Sequence, residues 1–68
     1  MNYNEFFADY PDVVSFKDMR VMLGGKNKPL GRTTAYKLLK ENKIKNIRKI
    51  GREYRIPKIS IINYLLSN

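Results

Sequence analysis

The sequence predicts a small, mainly α domain with one β-hairpin, built in the order helix, loop, helix, hairpin, helix. Three observations carry that prediction. Two segments, Phe16 to Leu23 and Arg32 to Asn42, space apolar residues for helices on either side of a Gly- and Pro-containing run, Gly24 to Gly31. From Ile44 to Ile56, β-branched residues alternate with basic ones around Gly51-Arg52, as in two short strands and a turn. Beyond Pro57, the stretch Ile59 to Leu66 is apolar at helical spacing.

The first helix is expected to start at Ser15, whose hydroxyl can accept from the backbone N–H of Asp18 in a capping arrangement, with the Asp18 carboxylate reaching back. Phe16, Met19 and Leu23 form its core-facing stripe, and Gly24-Gly25 ends it. The run GGKNKPLG is an exposed loop, in which Lys26 and Lys28 either touch a phosphate or keep the loop hydrated. The second helix turns Ala35, Leu38, Leu39 and Asn42 inward. Arg32, Thr33, Tyr36, Lys37 and Lys40 come out on its other sides, a polar and positive surface that starts at the helix N-terminus, as a recognition helix needs.

Two hairpin registers are open. A two-residue turn at Gly51-Arg52 sets Ile50 opposite Glu53 and Ile47 opposite Ile56. A three-residue turn ending at Glu53 sets Ile50 opposite Tyr54 and Arg48 opposite Ile56. The second is favoured, because it gathers Ile50, Tyr54 and Ile56 on one buried face, with a bulge accommodating Ile47. Pro57 suits the first position of the last helix, and Ile59, Ile62 and Leu66, widened by Ile61 and Leu65, make its core stripe. Residues 1–13 form an N-terminal arm ahead of a domain spanning 14–68. Its Phe6, Phe7 and Tyr10 either pack on the domain or bind a partner, with packing favoured.

Composition narrows the function. A 68-residue chain holds one small core and has little surface left to wall off a substrate cleft. It has no Cys and no His, which excludes disulfides, thiol nucleophiles, His-based triads and the usual zinc sites. The six carboxylates, Glu5, Asp9, Asp12, Asp18, Glu41 and Glu53, suggest no catalytic dyad. Accordingly no enzyme activity, catalytic residue, cofactor, metal or small-molecule ligand is expected. At 43% hydrophobic with eight aromatics, the chain lacks the signature of disorder. Met1 to Tyr10 has no basic n-region or apolar h-region, and Ile59 to Leu66 is too short to span a bilayer. No membrane association is expected, and a cytoplasmic location follows mainly from the missing signal.

Charge is segregated along the chain. The total is +8, yet residues 1–19 sum to −3 and residues 20–58 to +11, and the last ten residues carry no charged side chain. A basic excess gathered in the middle of a small domain points to a polyanionic partner.

Three stretches are more specific: VSFKDM from Val14, RTTAYKLL from Arg32 and IGREYRIP from Ile50. Together with the order of elements, they resemble the excisionase family of small winged helix-turn-helix proteins, which share the MerR-type DNA-binding architecture. The resemblance covers Val14 to Leu65, and the run joining the hairpin to the last helix is its most specific part. It implies that Arg32, Thr33, Thr34 and Lys37 face the major groove, with Tyr36 at the helix edge reaching a phosphate or the core. It implies too that Arg48, Lys49, Arg52 and Arg55 bring the wing to the backbone or the adjacent minor groove. The function implied is that of a recombination directionality factor of a mobile element: it binds double-stranded DNA near an attachment site, bends it and contacts an integrase. Further copies on adjacent sites are expected, since one recognition helix covers few base pairs. A small transcriptional regulator with the same fold remains open. An RNA-binding module fits the charge but lacks an evident stacking platform, and a protein-interaction domain would rest on the N-terminal aromatics.

Overall fold

The computed structural model describes Glu5 and residues 7–67, so the expectation for Phe6 lies outside the described residues. Helix α1 spans Phe16–Gly24. Its start is the Ser15 cap: the Asp18 N–H donates to Ser15 Oγ at 3.2 Å, and Ser15 keeps the extended backbone of an N-cap residue. Met19 and Met22 are the buried residues of α1, while Phe16 and Leu23 pack partly buried at the edge of the core. The stripe is thus centred one position away from the expected Phe16-Met19-Leu23. At the C-terminus the Gly25 N–H donates to the Val21 carbonyl at 2.6 Å. A side chain on Gly24 would collide with the backbone of Pro29 and Leu30, because the loop folds directly back over the helix end. Two bonds hold it there: the Leu30 N–H donates to the Arg20 carbonyl at 2.9 Å, and Arg20 Nε donates to the Leu30 carbonyl at 2.6 Å.

Helix α2 spans Arg32–Lys40, two residues shorter than expected. The reason is Asn42, which takes a left-handed φ of 59° instead of continuing the helix on its inner face. Asn42 N–H donates to the Leu39 carbonyl at 3.2 Å and Lys43 N–H to the Leu38 carbonyl at 2.9 Å, the paired bonds of a Schellman stop. Asn is, after Gly, the residue that tolerates this conformation best.

The sheet also departs from expectation. Strand β1 (Val13–Val14) was not anticipated. It pairs antiparallel with β3 (Glu53–Pro57), which pairs with β2 (Arg48–Ile50), giving the order β1-β3-β2. The hairpin uses the two-residue turn: Ile50 faces Glu53, Lys49 faces Tyr54 and Arg48 faces Arg55. The favoured three-residue register, with Ile50 buried opposite Tyr54, is therefore incorrect. Gly51, at φ 63°, supplies the positive φ that the first position of a type II′ turn requires, and such turns match the twist of the flanking strands. The burial attributed to a long β2 comes from elsewhere. Ile44 enters the core from a loop and is fully buried, the chain then turns at Asn46 with φ 60°, and Ile47 packs partly buried against the core. No bulge is needed.

Helix α3 spans Lys58–Ser67. Pro57 is the last residue of β3, opposite Val13, and not the first of the helix. The next backbone donor, Lys58 N–H, bonds the Asp12 carbonyl at 2.7 Å. The Lys58 ammonium donates to the carbonyls of Tyr10 at 3.0 Å and Phe7 at 3.4 Å. This anchor sets the rotation of α3, so Ile61 and Ile62 are buried and Leu65 packs partly buried, all at i+3, i+4 and i+7 from Lys58. Ile59 and Leu66, expected in the core, are instead 53% and 66% exposed. Among the described residues the core joins Phe7 and Val14 to Met19, Met22, Ala35, Leu39, Ile44, Ile56, Ile61 and Ile62. Phe7 and Tyr10 meet edge to face at 5.9 Å between ring centroids, so these two aromatics pack on the domain.

Candidate nucleic-acid interface

On α2, successive side chains turn by about 100° per residue. With Ala35 and Leu39 buried, Thr33, Lys37 and Lys40 form the outward crest, Tyr36 lies on one flank and Thr34 on the other. Arg32, Thr33, Thr34, Tyr36, Lys37 and Lys40 are all exposed. The helix opens at Gly31, which offers no side-chain cap, so its first N–H groups are left for an anionic partner.

The hairpin joins this surface through three aromatic rings. Phe16, first residue of α1, stacks on Tyr36 of α2 with centroids 4.2 Å apart and planes 19° apart. Tyr54 of β3 closes the cluster at 5.9 Å from Phe16 and 6.1 Å from Tyr36. Tyr36 therefore lies at the helix edge with its ring packed, while 47% of the residue remains exposed. Lys49, paired across the strands with Tyr54, places its ammonium 5.3 Å from the Tyr54 centroid. Side-chain alternation then divides the hairpin: Lys49, Tyr54 and Ile56 lie on the inner face, and Arg48, Ile50, Glu53 and Arg55 on the outer. Arg52 sits in the turn and lines a cleft with Lys17, Tyr36 and Arg55. Arg55 also meets Glu53 at 3.3 Å, an exposed pair worth little.

The structure brings Lys49, Arg52 and Arg55 to the aromatic cluster beside Tyr36, leaves Arg32, Thr33, Thr34 and Lys37 exposed along α2, and sets Arg48 on the outer face of the hairpin, opposite Arg55. Lys26 is elsewhere. It adjoins Phe7, Asp9 and Tyr10 at the C-terminal end of α1, whereas the wing contacts that helix at its first residue. Lys28, also exposed, lies in the loop leading to α2. Sequence reasoning missed Lys17 and the role of Phe16 as the wing's seat. The available signal was an aromatic at the first helical position together with Tyr54 two residues from the core-facing Ile56. Tyr54 is half-buried in the cluster, so it is not an open platform for base stacking.

Residues 29–68 match the family model described as a helix-turn-helix domain, more than half of the chain and the whole of α2, the hairpin and α3. The chain belongs to this helix-turn-helix family. No curated protein and no solved structure matches it. The match begins just ahead of α2, and the partner helix that α2 packs against is α1, held by the Arg20–Leu30 bonds. Three described helices with a small three-stranded antiparallel sheet are consistent with a winged helix-turn-helix, and membership supports DNA binding. No described helix is long and apolar enough to cross a membrane.

Proposed function

We propose that the protein is a non-enzymatic double-stranded DNA-binding protein acting in the cytoplasm, with α2 in the major groove and the hairpin on the adjacent backbone or minor groove. The observation that carries this is the Phe16–Tyr36–Tyr54 cluster, which packs the basic hairpin against the exposed flank of α2 and makes the two elements one positive surface. Arg32, Thr33, Thr34 and Lys37 read bases from the first turns of α2, and Arg48, Lys49, Arg52 and Arg55 hold phosphates. Lys26 and Lys28 add backbone contacts at the edge of the footprint.

The likeness of IGREYRIP and RTTAYKLL to excisionases supports a finer role: a recombination directionality factor that binds near an attachment site, bends the DNA and helps an integrase favour excision. One recognition helix covers too few base pairs for useful specificity alone, which favours several copies on neighbouring sites or a DNA-bound partner. A salt-titrated binding assay against random duplex, random single-stranded RNA and duplex from the region flanking the coding sequence tests the reading. Flanking duplex bound at least about tenfold tighter than random duplex supports it. Steep salt dependence without preference among the three substrates refutes sequence-specific reading and leaves a general polyanion binder.

A further inference from the structure

The outer face of the hairpin carries a side chain with no role in the core. Ile50 is 63% exposed at the last position of β2, opposite Glu53 and next to the Gly51-Arg52 turn. It shares its face with Arg48 and Arg55, while Lys49 and Arg52 lie close by in sequence on the inner face and in the turn. The one carboxylate beside it, Glu53, is met by Arg55 at 3.3 Å. An apolar side chain thus stands at the end of a positively charged projection, where burial in this chain does not account for it.

We propose that Ile50 is an apolar wedge that enters the minor groove and partly unstacks a base step, kinking the DNA. The proposal rests on the duplex-binding reading and deepens it. The cations draw the hairpin onto the phosphates with no sequence preference. Once there, a branched apolar side chain sheds water against sugars and base edges, and Ile is among the residues able to pry a step open from the minor groove. Unstacking costs least at flexible pyrimidine–purine steps such as TA and CA. The wedge therefore adds a sequence preference at a position where no hydrogen bond to a base is made, complementing the reading by α2. Its exposure on the outer face follows from the two-residue turn.

The test uses the full chain and end-labelled duplexes of about 30 base pairs selected by the protein from a random pool, with affinity from titration and bend from energy transfer between the ends. The wild-type complex is expected to bend by between about 20° and 90°. Ile50→Ala and Ile50→Lys are expected to bind yet lose at least half of the bend, and Ile50→Leu to restore it. Ile50→Lys, which adds a cation, is expected to bind random duplex more tightly at low salt, separating charge from wedge. Melting curves of the variants should superimpose within a few degrees, because the side chain is exposed. A wild-type complex that is unbent, or Ile50→Ala bending like wild type, overturns the wedge and leaves duplex binding standing. A wild type that binds no duplex overturns the reading beneath it.

Discussion

Replacing Tyr54 by Ala removes the ring through which the hairpin touches both α1 and α2, so it should cost stability and misplace the wing together. A fully buried Tyr covers about 150 to 250 Å². Tyr54 is half-buried, so its loss exposes about 100 Å², worth about 2.5 kcal/mol at about 25 cal/mol per Å². The contacts with Phe16 and Tyr36 contribute about 0.5 to 1.5 kcal/mol each beyond area, though not additively. A domain of this length is stable by about 3 to 10 kcal/mol, so the variant keeps only part of its margin. Urea denaturation should show a loss of about 2 to 3 kcal/mol, and melting a fall of about 10 to 20 °C. A double-mutant cycle with Tyr36→Ala should give a coupling of about 0.5 to 1.5 kcal/mol. At a temperature where the variant is folded, log K against log salt should flatten from about −4 to −5 toward about −3, because a loosened wing no longer presents its cations. A vanishing coupling energy, or an unchanged salt slope in a clearly destabilised variant, would show that the cluster does not position the hairpin.

Arg32→Ala should cost about 1 to 3 kcal/mol on a selected site and relax base preference, while Arg52→Ala should weaken all duplexes alike and lower the salt slope by about one; equal losses for both on selected and random DNA refute that division. Ile44→Ala should destabilise by about 2 to 5 kcal/mol in urea, although the residue sits in a loop, since its side chain is fully buried. Ser15→Ala should cost about 1 kcal/mol by removing the cap of α1, with no change in salt slope. Gly51→Ala meets no neighbour but must hold a φ of 63°, so it should cost about 1 to 2 kcal/mol, and Gly51→Asn less.

Elements whose signal is local were legible. The Ser15 cap, the break at Gly24 to Gly31 and the inward Ala35 and Leu39 depend on neighbours within a turn or two of helix, and each was found where its chemistry puts it. What sequence reasoning missed depends on partners far along the chain. Val13-Val14 has too few residues to announce a strand and becomes one because Ile56 and Pro57 stand opposite. Ile59 and Leu66 have helical spacing as good as that of Ile61 and Leu65. The choice between the two stripes is made by the Lys58 ammonium binding carbonyls in residues 7–10, some fifty positions earlier. The exposed crest of α2 was readable because Ala35 and Leu39 identify the opposite side. The aromatic seat of the wing draws one ring from each of three elements, and no spacing rule connects them.

The hairpin register shows why burial alone is an unsafe guide. The three-residue turn was attractive because it put one more isoleucine inside, but a small sheet on a small core has limited room on its inner face. Tyr54 and Ile56 already take that place, and Ile44 and Ile47 reach the interior before β2 begins. Against a modest gain for one more Ile stands the backbone: Gly51 is the residue type able to take positive φ at the first turn position, and the two-residue turn uses it there. Turn chemistry therefore outweighs side-chain hydrophobicity at the tip. Because strand side chains alternate with period two, that choice also sends Arg48 outward and brings Lys49 inward onto Tyr54. The glycine that sets the register thereby decides that Lys49 lies over Tyr54, and that Arg48 and Ile50 stand together on the outer face of the hairpin.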